Sequence, residues 1–105
     1  MITVYSSDLC PDCRECKKNF DAHNIPYTLV DINESMRTLK DFLKLRDTRA
    51  EFDEVKACGS VGIPALVDDD GGVCFDWEQY LTERGLPIVY KEERPAFCSI
   101  DGKNC

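Results

Sequence analysis

The chain has 105 residues, 43% of them hydrophobic, which suits one domain with a modest core and excludes a second. Thirteen basic against twenty acidic residues give a net charge of −7, which argues against a nucleic-acid or anionic-membrane partner, because both need a basic face. No apolar run approaches the roughly 18 residues of a membrane span, and the opening Met1-Ile2-Thr3-Val4-Tyr5 lacks the features of a signal peptide, so a cytoplasmic location is expected.

Residues 2–6 are β-branched and aromatic and predict a short strand. Cys10-Pro11-Asp12-Cys13 follows. Proline at the first helical position and an acidic residue in the first turn mark a helix start. Cys13, Cys16 and Phe20 then recur on one helical face, and the helix is expected to end near His23-Asn24, before Pro26. Residues 27–32 predict a second strand, parallel to the first because a helix crosses between them. Ser35 is placed to cap a helix carrying Met36, Leu39, Phe42, Leu43 and Leu45, and a further helical stretch over about 48–57 carries Phe52 and Val55.

Gly59-Ser60-Val61-Gly62 breaks the pattern. Residues 64–67 predict a third strand with Pro64 at its first position. Asp68-Asp69-Asp70-Gly71-Gly72 is a hairpin turn, here read as solvated because it lacks the spaced oxygen ligands of a calcium loop. Residues 73–75 form the antiparallel fourth strand, and Asp76 caps a last helix with Trp77, Tyr80 and Leu81 that ends at Gly85. The expected order is β-α-β-α-β-β-α over residues 1–85, an α/β architecture with a four-stranded mixed sheet. Residues 86–105 form a mostly irregular extension.

Seven cysteines in a chain expected to stay in a reducing compartment point to catalysis or metal binding more than to a disulfide scaffold. A Cys-x-x-Cys pair at a strand-to-helix junction inside a βαβ unit is a redox motif. Cys10 at the helix N-terminus is where backbone N–H groups and the helix dipole stabilise a thiolate, and Cys13 follows one turn later. Cys10 is therefore the expected nucleophile and Cys13 the resolving thiol. The competing reading is an iron–sulfur or zinc site using Cys10, Cys13 and Cys16. Only His23 is available as an imidazole, and no second, separate Cys-x-x-Cys pair exists beyond the overlapping run of Cys10, Cys13 and Cys16, so no metal is expected. Cys16, Cys58 and Cys74 read as packing residues, and Cys98 and Cys105 as a tail pair of open role.

Val4-Tyr5-Ser6, Cys10-Pro11-Asp12-Cys13 and Val61-Gly62-Ile63-Pro64 followed by Leu66-Val67 together resemble a glutaredoxin over about residues 1–85. The resemblance implies a thioredoxin-like fold, a cis peptide before Pro64, and Ile63 as the backbone clamp on an incoming disulfide. It also implies a substrate or glutathione site built from Pro11, Asp12, Ile63, Pro64, Asp76 and Trp77. No bound cofactor is expected. Glutathione is the expected co-substrate, with disulfide-bearing proteins as partners and glutathione or a thioredoxin-reductase-like enzyme as donor. The chain departs from the family in a middle helical region, 35–57, that is longer than usual, and in three places at the site. Ser7 stands where a lysine normally helps hold a glutathione carboxylate. Asp12 replaces an aromatic. Phe75-Asp76-Trp77 occupies the region of a usual Gly-Gly pair.

Overall fold

The computed structural model describes residues 1–91. Its frame is a four-stranded sheet in the order β2-β1-β3-β4. β1 (Ile2–Ser6) pairs parallel with β2 (Tyr27–Asp31) and antiparallel with β3 (Ala65–Val67), and β3 pairs antiparallel with β4 (Val73–Cys74). The architecture is the mixed α/β one expected.

Strand alternation sends neighbouring side chains to opposite faces. In the β1–β3 register Val4 lies opposite Leu66 and Tyr5 opposite Ala65. Val4 and Leu66 enter one core cluster, with Ile2, Cys16, Phe20, Trp77 and Leu81. Ala65 and Tyr5 belong to the other, with Cys10, Cys13, Phe42, Phe52 and Ile63. Each face of the sheet is thus covered by its own helices. α1 (Pro11–Ala22) and α4 (Trp77–Glu83) cover the first, and α2 (Met36–Thr48) with α3 (Asp53–Ala57) the second.

The helix starts follow local chemistry. Ser35 and Thr38 form a reciprocal capping box on α2, and the Asp76 carboxylate accepts the Gln79 amide at 3.0 Å to cap α4. The expected helix over 48–57 is instead split. α2 ends at Thr48, Arg49 is extended, Ala50–Phe52 form a 3-10 turn, and α3 begins at Asp53. The break lets Arg49 reach the β-hairpin, where its guanidinium donates to the Gly71 carbonyl at 2.7 Å. It also turns Phe52 fully inward, its ring 5.9 Å from Phe42 and 4.8 Å from Phe75. Pro64, lacking an N–H, stands just before β3 and not in it, and Phe75 leaves β4 to pack on Phe52.

Leu86–Lys91 has neither helix nor strand but is not detached. Leu86 and Ile88 pack on the cluster beneath α1 and α4. The fully buried Asn19 of α1 holds the segment's backbone: its carbonyl accepts the Val89 amide at 2.7 Å and its amide donates to the Tyr90 carbonyl at 2.9 Å. Among the described residues no helix is long and apolar enough to cross a membrane.

Candidate active site

Cys10 is the N-cap of α1, with extended backbone (φ −101°, ψ 122°). Its amide donates to the Ser7 carbonyl at 3.1 Å, and its own carbonyl accepts the Arg14 amide at 3.1 Å as the first bond of the helix. Pro11 supplies a fixed φ at a position whose N–H would lack a helical partner. Cys10 and Cys13 are 2% and 3% exposed and share one core cluster. The Cys13 pKa is driven far above the ordinary thiol range, first by its hydrogen bond to Cys10, then by burial and by the charge of Cys10. Cys13 is therefore the member of the pair that keeps its proton, and its thiol donates the hydrogen bond to the Cys10 sulfur.

Cys10, and not Cys13, lines a cleft open to solvent. Its walls are Leu9, Ile32, Val61 and Ile63, with Ser7 and Asn33 at a polar end. Leu9 is 81% and Val61 41% exposed, so the rim is apolar. The Ser7 hydroxyl donates to Asn33 Oδ1 and accepts the Leu9 amide at 3.2 Å, which holds the turn before Cys10. No lysine or arginine is among the lining residues. The Ile63–Pro64 peptide is cis, as expected, and Pro64 is fully buried. A second apolar depression continues past Val61 over Leu39, Phe42 and Leu43. Its one cation, Arg46, donates to the carbonyls of Ser60 at 2.8 Å and Val61 at 2.9 Å and so holds the cleft's rim in place.

The structure gathers Cys10, Cys13 and Ile63 in one cluster, with Pro11 and Pro64 beside them in sequence, and buries the side chains of two other expected site residues. Trp77 is 2% exposed in the core, and its Nε1 donates to the Asp12 carboxylate at 3.2 Å. Asp12 is itself only 6% exposed. This hydrogen bond ties α4 to the start of α1. Asp76 is exposed but already serves as the α4 cap.

Leu9, Ile32, Asn33 and Val61 were not foreseen as site residues. The only local signal was Leu9, an apolar residue in an otherwise polar turn. Cys16 faces the opposite core cluster from Cys10 and Cys13, so the three sulfurs do not converge. Among the described residues no group of three or more His, Cys, Asp or Glu is placed to hold a metal ion. Cys74 is half-buried, its thiol donating to the Asp76 carbonyl at 3.6 Å. Cys58 is exposed, at the end of α3, and not the packing residue expected. Cys98 and Cys105 lie outside the described residues. His23, given no role in advance, stands 2.7 Å from the Pro87 carbonyl and helps dock the segment after α4.

The family model described as Glutaredoxin matches residues 2–71. A Haemophilus influenzae protein named only "Uncharacterized protein" is 40% identical over 73 residues, which are 70% of this chain and 85% of that protein. Among solved structures, an epsilon-class glutathione S-transferase from the housefly, Musca domestica, aligns with 24% identity and a TM-score of 0.47 over 80% of this chain. The chain spans 35% of the transferase's length.

Proposed function

Because the chain belongs to the glutaredoxin family, we propose that it is a thiol–disulfide oxidoreductase in which Cys10 attacks the substrate disulfide and Cys13 resolves the mixed disulfide. The observation that carries this reading is the asymmetry of the pair. Cys10 faces the cleft from the helix N-terminus, while Cys13 is held behind it as the proton donor.

The asymmetry also times the steps. The Cys10 thiolate displaces one sulfur of the substrate, which leaves as a thiol after taking up a proton. Cys10 then carries no charge, and the largest cause of the raised Cys13 pKa disappears with it. Cys13 can now ionise and attack Cys10 Sγ, releasing the second substrate thiol and closing the Cys10–Cys13 disulfide. Ile63, which lines the same cleft as Cys10 and precedes Pro64 through a cis peptide, is the proposed backbone clamp.

The substrates proposed are glutathione mixed disulfides and disulfide-bearing proteins, and the protein is read as cytoplasmic. The donor is glutathione or a thioredoxin-reductase-like enzyme. Glutathione carries two carboxylates, and no lysine or arginine is among the residues lining the cleft. A surface ion pair of the kind a lysine at position 7 would supply is worth about 1 kcal/mol, or about fivefold in affinity. Glutathione is accordingly expected to bind more weakly here than in glutaredoxins that carry that lysine.

Turnover of a glutathione mixed disulfide tests the assignment. Cys10→Ser is expected to abolish it. Cys13→Ser is expected to keep part of it, because a second glutathione can resolve the intermediate. An active Cys10→Ser protein would refute the site. Ser7→Lys is expected to strengthen a weak glutathione response; tight, saturable wild-type behaviour unchanged by the lysine would refute the affinity argument.

A further inference from the structure

Four residues of α2 fall at helical spacing on one face: Leu39, Phe42, Leu43 and Arg46. Phe42 is fully buried in a core cluster, and Leu39 packs against that cluster. Leu43 is 39% exposed and enters neither core cluster of the described residues. It lines instead the depression of about 380 Å³ between α2 and the loop Gly59-Ser60-Val61. That volume is at the small end of ligand-sized pockets and suits a side chain or two of an extended chain. Arg46 fixes the loop side of the wall through the Ser60 and Val61 carbonyls.

The depression is continuous with the Cys10 cleft, because Ile32 and Val61 line both. Ser7 and Asn33 line the cleft alone and hold each other side chain to side chain. The apolar surface therefore runs on from Cys10 over Ile32 and Val61 to Leu39, Phe42 and Leu43. No acidic side chain lines either recess, and the one guanidinium has its Nε and Nη2 engaged on the loop carbonyls. The surroundings favour an uncharged, apolar occupant.

We infer that this depression receives an apolar side chain two residues from the attacked cysteine of a disulfide-bearing protein, and that Leu43 sets the preference for it. The inference rests on Cys10 as nucleophile and Ile63 as backbone clamp, and it names the substrate class of that site. A substrate segment held along the Ile63 backbone is extended, and an extended chain repeats the same side every two residues, about 6.8 Å. With the substrate sulfur at Cys10, the side chain two residues away on that side passes Val61 into the depression. The bonds made and broken are those of the Cys10–Cys13 cycle. The depression adds affinity for the chain that carries the sulfur, which glutathione, with its two carboxylates, does not draw on.

The test uses the reduced full chain and symmetric disulfides of a short peptide with one cysteine. The residues two before and two after that cysteine are varied one at a time among leucine, serine and glutamate. Each reaction oxidises Cys10 and Cys13 to their disulfide and releases two peptide thiols, whose appearance gives the rate, less any rate that remains in Cys10→Ser. Burying one leucine side chain is worth about tenfold, and leucine at one of the two positions is expected to raise the rate over serine by about that factor. Leu43→Lys is expected to cut the leucine advantage to about twofold or less and to pass it to glutamate, a switch that a loosened fold would not produce. Equal rates for leucine and serine at both positions, or a leucine advantage that Leu43→Lys leaves unchanged, overturn the inference while leaving Cys10 as nucleophile. A leucine advantage that fades as protein concentration rises gives the depression to a second copy of the chain and overturns it too. Peptide reduction that survives Cys10→Ser in full overturns both readings.

Discussion

Cys16 lies one turn after Cys13 and is fully excluded from solvent. Burial pushes its thiol well above the ordinary range, and the charges of Asp12 and Asp21 add to the effect. The Cys13 thiol is shifted the same way by Cys10 and by burial. A thiol that ionises in the unfolded chain but not in the native one holds its proton more tightly in the native state. Its stabilising contribution is complete below the unfolded pKa and is lost as pH rises above it. The reduced protein is therefore expected to lose stability above pH ~8.5, by up to about 1.4 kcal/mol per pH unit for each such thiol. Urea midpoints measured from pH 7.5 to 9.5 in a reducing agent check this, and Cys16→Ala is expected to flatten the decline. A midpoint independent of pH across that range would contradict the burial of both thiols. The same assignment predicts that limited alkylation near pH 7 labels Cys10 ahead of Cys13.

The loop from Gly59 to Pro64 is the element that sets the cleft wall, and it depends on one position. Gly62 has φ +94°, and a Cβ there would lie 3.1 Å from the Phe52 ring and 3.2 Å from Val55 Cγ2. Gly59 also has positive φ (+74°), but a Cβ would meet nothing within 4 Å. Alanine at either site pays the backbone cost of roughly 1–2 kcal/mol, and only at Gly62 is crowding of another 1 kcal/mol or so added. Gly62→Ala is thus expected to lower the urea midpoint more than Gly59→Ala and, by displacing Ile63, to reduce turnover as well. The reverse order of stability would mean that Phe52 and Val55 do not confine this loop. Arg46, which donates to the carbonyls of Ser60 and Val61, holds the same loop from the side of α2.

At the scale of the molecule, the strap after α4 joins the core to the helix that carries the motif. Leu86 and Ile88 cover the cluster below α1 and α4, and Asn19 is satisfied through the strap's backbone. Leu86–Lys91 is accordingly proposed as part of the folded unit, beyond the boundary expected at residue 85. A chain ended after residue 85 is expected to be about 2 kcal/mol or more less stable than one ended after residue 91, from lost apolar burial and buried hydrogen bonds. Denaturant unfolding of the two chains compares them directly, and coincident curves would show the strap to be dispensable.

Much of this molecule is legible in local chemistry. The alternation of Ile2, Val4 and Ser6, the proline after Cys10, the caps at Ser35 and Asp76 and the hairpin at Asp70-Gly71 each act through neighbours a few residues away. They determine the element order, and with it the placement of a Cys-x-x-Cys pair at a helix N-terminus. Which polar side chains are buried is decided otherwise. Asp12 reads as a first-turn acidic residue, and only the fold brings Trp77, sixty-five residues later, to donate to it. Glu15 and Asn19, polar residues of α1, are buried where the strap at Val89–Lys91 meets them. The cleft at Cys10 exists because Leu9, Ile32 and Val61 come from three separate connections to one end of the sheet. Periodicity can name the apolar face of a helix, but it holds no information about which distant segment arrives on the other face, and here that arrival shapes the surroundings of Cys10.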